Sequence, residues 1–487
     1  MLGRVFKAYD IRGTYPDLLT DQMAWQIGYG ASRFLLQDAE QAGETTPMMK
    51  NVVVGRDMRA SSPGLSGRLI KGITDHGGDV IDIGLCDTPM VYFAINYLDC
   101  AGGIQVTASH NPPQYNGFKI SKRKAKPVGE PTGLGDIRKY AAMVDRGVQD
   151  QEGTNGRSEV RDLWDAYRQH VRAFLDTSAL GAAGSTLKVV IDASNAMAGT
   201  MVPKVFGRNG SGIDGVEIIE LNFENSKGEF AHEPNPLVAA NLRQLQDAVA
   251  EHSADFGICF DGDADRLMVV DEKSQIVGCD HLTTLLAKFF LQDNPGSPIV
   301  YDLRSSKALA EDVVAAGGKP VQGRVGHVFM KQAMTEHQAV FGGELSGHFY
   351  FRDNFNADSG AIAMAVVLTV LSRAKADGQA LSDLVAPISR YAQSGEVNFE
   401  TEDKDEAINA FQEEFGPGSD FDGDIEELDG CTIDCWDRPG EHGGWWANVR
   451  KSNTEPLLRL NVEAKDAATL ERIVEEIAPF LGTRVDH

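Results

Sequence analysis

Lys188-Val-Val-Ile-Asp-Ala-Ser-Asn195 is a short β-branched run ending in a polar turn, and its recurrence decides the fold. The same opening occurs at Asn51-Val-Val-Val-Gly-Arg-Asp57, where a helical stretch through Ile70 and Ile73 leads to Gly77-Gly-Asp-Val-Ile-Asp-Ile-Gly84. Gly215-Val-Glu-Ile-Ile-Glu-Leu221 closes the copy that starts at Lys188. A third copy begins at Pro298-Ile-Val-Tyr-Asp-Leu-Arg-Ser305, passes through a helical stretch at 308–316 and closes with Gly317-Gly-Lys-Pro-Val321. Each copy predicts strand, polar loop, helix, strand, which is the pattern of a βαβ unit. Near-continuous apolar strands imply sheets covered on both faces. Functional loops then belong at the carboxyl ends of those strands.

Boundaries are expected between the copies. The chain is polar and Gly-rich around 147–158, and further breaks fall near Lys273–Gln275 and Ser382–Gln393. The expected domains are 1–155, 156–274, 275–388 and 389–487. The last differs in kind, with an acidic helical stretch from Glu402 to Glu414, strands near 445–449 and 457–462, and a final helix from Ala467. That pattern predicts an α+β module rather than a fourth copy.

A chain of 487 residues allows roughly three or four domains of ~100–200 residues. With 42% hydrophobic and 24% charged residues, it has an ordinary globular composition. Its net charge of −25 argues against nucleic acid or an anionic membrane as partner, but leaves room for a local basic cleft that holds a small anion. The six scattered cysteines complete no zinc pattern and are expected as reduced, buried thiols. Met1-Leu-Gly-Arg-Val-Phe6 carries no apolar signal core, and the longest apolar run, Ala361 to Leu371, is too short to span a bilayer. A buried helix and a cytoplasmic location are the expectations.

Four separated motifs carry chemistry. Thr107-Ala-Ser-His-Asn-Pro112 sets a serine hydroxyl beside an imidazole in a loop stiffened by Pro112 and Pro113. Alone it suits a turn or cap residue, or a Ser-His nucleophile pair. Asp261-Gly-Asp-Ala-Asp-Arg266 lies between two strand-like runs, and its alternate carboxylates converge on one side of an extended backbone. Such carboxylates repel unless a cation sits between them, and hard oxygen ligands suit Mg²⁺. An EF-hand is excluded because Arg266 occupies the position where that loop needs Gly. Gly342-Gly-Glu-Leu-Ser-Gly-His348 can hydrogen-bond vicinal sugar hydroxyls, and Arg450-Lys-Ser-Asn-Thr-Glu-Pro456 suits phosphate recognition. Gly210-Ser-Gly-Ile-Asp-Gly215 spells a dinucleotide fingerprint but precedes a strand instead of opening a helix, and no P-loop is present.

In this order the motifs resemble the α-D-phosphohexomutase family, most closely its bacterial phosphomannomutase/phosphoglucomutase branch, over nearly the whole chain. Tyr9-Asp-Ile-Arg-Gly13 is similar to the family's opening signature, and Gly117-Phe-Lys119 follows the serine loop at the family's interval. Ala264 stands where many members have Gly. The resemblance implies three related α/β/α domains with mixed sheets and a smaller C-terminal α+β domain around a central cleft. It also implies a phosphoryl group carried on Ser109, with Asp261, Asp263 and Asp265 holding one Mg²⁺ against it. Arg12, Lys119 and Arg266 would supply positive charge, and His348, Lys119 and His327 compete for proton transfer. Tyr9, Glu344, Ser346 and His348 would contact the sugar, and Arg450, Ser452, Asn453 and Thr454 the phosphate that is not reacting. The implied reaction interconverts hexose 1-phosphate and hexose 6-phosphate through a hexose 1,6-bisphosphate, which also acts as activator. The expected partner is a phosphosugar, with no nucleic acid or membrane, and the chain a monomer or homodimer.

Two other readings stay open. Phosphoglucosamine mutase usually has Ser-Gly-Thr in the phosphate loop and Asp-Asn-Gly-Ile-Lys after the serine loop, where this chain has Ser452-Asn-Thr454 and Tyr115-Asn-Gly-Phe-Lys119. A Mg²⁺-dependent sugar phosphatase would use a similar metal loop with water as acceptor.

Overall fold

The computed structural model describes residues 2–43, 46–145, 155–183, 186–207, 212–452 and 457–485. The first sheet contains β1 (Ile11–Thr14), β2 (Asn51–Arg56), β3 (Asp79–Leu85), β4 (Gly102–Val106), β5 (Tyr115–Lys122), β6 (Lys126–Pro127) and β7 (Ser158–Val160), in the order β1-β5-β4-β2-β3-β7 with β6 on β5. It is mixed: β2 runs parallel to β3 and β4, while β5 runs antiparallel to β4 and β1. The β-branched run of β2 is buried from Val52 to Gly55 because helices cover both of its faces. Those helices are Asp21–Gln41 and Ser62–His76 on one side and Thr88–Tyr97 on the other. Thr20 starts the first of them by accepting from the Met23 N–H, as an N-cap side chain should.

The second sheet is β8 (Leu187–Asp192), β9 (Val216–Leu221), β10 (Phe256–Phe260), β11 (Leu267–Asp271) and β12 (Ile276–Val277), ordered β12-β11-β10-β8-β9. Strands β9, β8 and β10 are parallel, and β10 turns back antiparallel into β11. Next come the parallel strands β13 (Pro298–Asp302), β14 (Lys319–Gly323) and β15 (Phe341–Gly343), and then a β16 (Phe349–Phe351) and β17 (Ala357–Asp358) hairpin. The apolar run at 361–371 lies within the buried helix Gly360–Ala376, which Ser359 caps through the Ile362 N–H. The C-terminal sheet is antiparallel: β18 (Ala392–Glu400), β19 (Asp424–Glu426), β20 (Cys431–Asp434), β21 (Trp445–Lys451), β22 (Leu458–Ala464) and β23 (Thr483–Val485). Its core, with Trp445, Phe411 and Phe415, is sealed by helices Lys404–Phe415 and Ala467–Leu481.

All three repeats read from the sequence form the expected parallel βαβ units, β2–β3, β8–β9 and β13–β14. Strand β9 departs from the buried pattern, since it stands at the edge of its sheet and is only half-buried. The architecture is three α/β/α domains and a C-terminal domain. By compactness the chain divides into a first unit, Met1–Gly278 with Ser346–Ser382, and a second, Cys279–Leu345 with Asp383–His487. The six cysteines are free and buried. Among the described residues no helix is long and apolar enough to cross a membrane.

Candidate active site

The first unit carries the serine and aspartate motifs. Ser109 lies just past the carboxyl end of β4 with φ of +50°, in the left-handed region, and is 3% exposed. Its N–H donates to Thr107 Oγ1 at 2.9 Å, and its hydroxyl donates to Asp261 Oδ2 at 2.8 Å. The aspartates occupy the tight turn between β10 and β11, where the apolar strands force the loop to the sheet's edge. Gly262 is required there, because a Cβ at that position would stand 2.1 Å from the Ser109 carbonyl oxygen. The serine and aspartate loops therefore meet backbone to backbone. Ala264 has φ of +56°, a conformation that glycine takes without strain, which accounts physically for the family's usual residue at that place.

Asp261, Asp263 and Asp265 are all buried, with one oxygen of each within 4.8 Å of the others. Lys119, on β5, bridges Asp263 Oδ2 at 2.8 Å and Asp265 Oδ2 at 2.6 Å. Arg266 donates from Nε to Asp261 Oδ2 at 3.1 Å. Asp263 Oδ1 and Asp265 Oδ1 are buried with no hydrogen-bond partner among the described residues, and His348 Nε2 at 3.5 Å and Arg266 Nε at 3.8 Å lie near Asp265 Oδ1. Three buried carboxylates facing the cations Lys119 and Arg266, with Asp263 Oδ1 and Asp265 Oδ1 both lacking a hydrogen-bond partner among the described residues, fit a divalent ion that prefers oxygen ligands.

Electrostatics separates the carboxylates. Burial and the nearby Asp265 push Asp261 up to about 7. Burial also opposes the charged form of Asp265, but Lys119, His348 and Arg266 outweigh it and hold that carboxyl well below its ordinary value. Burial opposes the Lys119 ammonium too, yet the aspartates keep it above its usual range. Lys119 thus stays a cation at neutral pH. His110 goes the other way: burial, then Arg266, Arg12 and Lys119, hold it far below the ordinary imidazole value. Its Nδ1 contacts the Arg266 guanidinium, which can only donate, so Nδ1 accepts and the ring proton belongs on Nε2.

Arg12 and His348 gather near this cluster. Arg12, on β1, donates to Asn111 of the serine loop and to Asp10. His348 pairs with Arg266 through an isolated antiparallel bridge, and Ser346 Oγ lies 2.8 Å from His348 Nδ1. Tyr9 lies in the turn before β1, against Gly129. Two residues with no local sequence signal belong to the same cluster. Thr88 donates from its backbone to the Asp263 carbonyl at 3.0 Å and from its hydroxyl to the Asp263 carboxylate. Arg59 binds the backbone of the serine loop.

The second unit gathers the remaining motifs. Glu344, buried just past β15, accepts from the Gly326 N–H at 2.9 Å, and His327 begins the helix His327–Glu336 that follows. Asp302 accepts from the Leu345 N–H at 2.8 Å and from Arg304 Nη2 at 2.9 Å. Arg450, at the end of β21, is 3% exposed; it donates to Glu396 Oε2 at 2.6 Å, and its Nε has no partner among the described residues. Arg304 and Arg459 reach the same carboxylate at 3.4 and 2.8 Å. Three guanidiniums facing two carboxylates, Glu396 and the Asp302 that also holds Arg304, leave the cluster suited to a further anion. The Ser452 N–H donates to the Leu457 carbonyl. Asn453 and Thr454 lie outside the described residues.

Comparison with known proteins covers nearly the whole chain. Residues 3–142, 165–275 and 279–391 match the α/β/α domains I, II and III of phosphoglucomutase/phosphomannomutase, and 396–480 match its C-terminal domain. The chain belongs to that family, and it is an isomerase of the hexose phosphate mutase type. A phosphomannomutase of Escherichia coli K12 is 37% identical over 462 residues, 94% of either chain. The phosphohexose mutases of Xanthomonas campestris pv. campestris strain B100 are 38% identical over 479 residues, 98% of either chain. A solved phosphoglucomutase/phosphomannomutase family protein from Burkholderia thailandensis has a TM-score of 0.82 at 30% identity, covering 98% of this chain and 96% of that one.

Proposed function

We propose that this chain interconverts mannose or glucose 1-phosphate and 6-phosphate by passing a phosphoryl group between Ser109 and the sugar. The observation that carries the reading is the Ser109 hydroxyl at 2.8 Å from Asp261, inside a buried three-carboxylate cluster whose Asp263 Oδ1 has no hydrogen-bond partner among the described residues. Asp261, Asp263 and Asp265 would hold one Mg²⁺, which neutralises phosphate charge and so favours a loose phosphoryl-transfer transition state. Ser109 holds the phosphoryl group at the start of the cycle. The sugar's free hydroxyl takes it, breaking the Ser109 Oγ–P bond and giving the 1,6-bisphosphate, and the other phosphate then returns to Ser109.

Lys119 remains charged, so its part is to steady the phosphate oxygens. His110 has its Nδ1 engaged by Arg266 and shapes the loop. We assign proton transfer to His348, an imidazole beside Asp265 and Ser346 in the unit that bears Ser109. Arg12, Arg266 and Tyr9 line the approach to the serine. Glu344 and Ser346 grip sugar hydroxyls, His327 assists at the second unit, and Arg450, Ser452, Asn453 and Thr454 hold the phosphate that does not react. The six free, buried cysteines suit a cytoplasmic enzyme.

The test is Ser109→Ala, assayed with mannose, glucose and glucosamine 1-phosphates and primed with glucose 1,6-bisphosphate. Turnover should vanish while the protein stays folded. Undiminished activity, or steady release of inorganic phosphate by the unmodified chain, would sink the assignment. A preference for the glucosamine substrate would overturn the choice of sugar.

A further inference from the structure

Arg59 has five N–H donors, and the structure supplies five acceptors for them. Nε donates to Asp57 Oδ2 at 3.0 Å, Nη1 to the carbonyls of Pro112 and Tyr115 at 2.7 and 3.1 Å, and Nη2 to those of Ser109 and Asn111 at 2.8 and 2.7 Å. The guanidinium is 1% exposed, and the ring of Phe230 covers it at 4.9 Å. Asp57, equally buried, is anchored in turn by Ser62 Oγ and by the Arg59 N–H. A guanidinium is a rigid planar fork, so five satisfied donors dictate where four carbonyls of one loop must lie.

We propose that Arg59 is a positioning residue for phosphoryl transfer, setting the backbone of the 109–115 loop so that Ser109 Oγ faces the aspartate cluster. This rests on Ser109 being the phosphoryl carrier. Two features separate the role from plain stabilisation. A buried ion pair is weak evidence of stability, because packed apolar side chains of similar volume often do as well. The four loop bonds, by contrast, converge on the segment that carries Ser109, whose backbone is left-handed with φ of +50°. On the far side of the Ser109 carbonyl stands Gly262, where even a methyl group would come within 2.1 Å. The carbonyl is therefore held between Arg59 and the aspartate loop, and it can move only if one of them gives way. Arg59 pairs with Asp57 and has no donor left over, so its contribution is geometric.

The experiment compares full-length Arg59→Lys and Arg59→Gln with Asp57→Asn, which keeps the guanidinium but weakens its anchor. The readouts are kcat, KM for mannose 1-phosphate, the rate at which glucose 1,6-bisphosphate phosphorylates Ser109 by intact mass, and the unfolding midpoint. A loop displaced by about 1 Å should lower kcat about 10²-fold in the Arg59 variants and about tenfold in Asp57→Asn. KM should move by less than about threefold, since the sugar contacts are untouched. Ser109 phosphorylation should slow in step with kcat. Folded Arg59 variants with unchanged kcat would overturn the proposal. If those variants do not fold, unchanged kcat in Asp57→Asn overturns it, and a loss confined to kcat supports it. An active Ser109→Ala would instead defeat the underlying reading, so the two failures are distinguishable.

Discussion

Replacing Lys119 by Met tests the electrostatic design of the cluster most directly. The ammonium sits 2.8 Å from Asp263 and 2.6 Å from Asp265, is 17% exposed, and faces carboxylates that are almost fully buried. At an effective dielectric of about 20, each contact is worth about 6 kcal/mol before desolvation. Desolvation of the ammonium takes back most of that sum, and breaking such buried pairs typically costs about 3–5 kcal/mol. Methionine keeps the length of the stem, so packing changes little. With about 2–4 °C per kcal/mol for a segment this large, 3 kcal/mol lowers the metal-free unfolding midpoint by about 6–12 °C. A divalent ion bound to the folded state replaces part of the missing charge, so millimolar Mg²⁺ should raise the variant's midpoint more than that of the parent. Activity should not follow, because the fixed donor to the phosphate oxygens is gone; kcat should stay about 10²–10³-fold down. Differential scanning calorimetry with and without Mg²⁺, beside mutase rates at saturating Mg²⁺, gives all the numbers. A metal-free midpoint within error of the parent would refute the reasoning, as would activity returning together with stability.

Other consequences are as specific. Gly262→Ala must move its Cβ or the Ser109 carbonyl apart by about 1 Å from a 2.1 Å approach, and kcat should fall about 10²-fold with substrate affinity nearly kept. Arg450→Lys removes a buried planar donor set whose Nε has no partner among the described residues; steady-state assays should show KM for the sugar phosphate up at least about tenfold. His232 is raised above the ordinary imidazole value: burial lowers it, but Asp192 at 3.0 Å more than compensates. A raised folded value means stabilisation that is full below the unfolded value of about 6.5 and lost as pH rises through the folded one. Urea midpoints of the parent and His232→Gln should therefore differ more near pH 6 than near pH 8, and a constant gap would count against the pairing.

How much of this was legible in the sequence follows from the range of each interaction. The βαβ copies and the buried helix at 360–376 were visible because periodicity and turn residues act over a few positions. The aspartate cluster was visible for the same reason, since three carboxylates within five residues share one turn. Arg59 and Thr88 were not, because the loops they hold at the site lie 50 or more residues away in sequence. Ala264 was visible as a departure from the family pattern, but its left-handed backbone was needed to say why glycine is usual there. The sequence also set His110 beside Ser109 as a Ser-His pair, which the aspartate triplet already counts against; its surroundings, a desolvated ring crowded by guanidiniums, agree.

The repeats themselves hold a regularity that no single copy reveals. Each first strand has an aspartate at its end or just past it, Asp57, Asp192 or Asp302, which accepts the backbone N–H two residues on, at 3.1, 2.9 and 2.9 Å from Arg59, Ser194 and Arg304. The carboxylate closes a tight turn at the sheet's edge and aims the next side chain by local geometry alone. What differs is the residue so aimed. Arg59 grips the serine loop, Arg304 faces Glu396 beside Arg450, and Ser194 turns toward His232 and Cys259. The same turn chemistry thus supports three different tasks. A change at the aspartate should disturb the loop of its own copy, whereas a change two residues later should alter only the task.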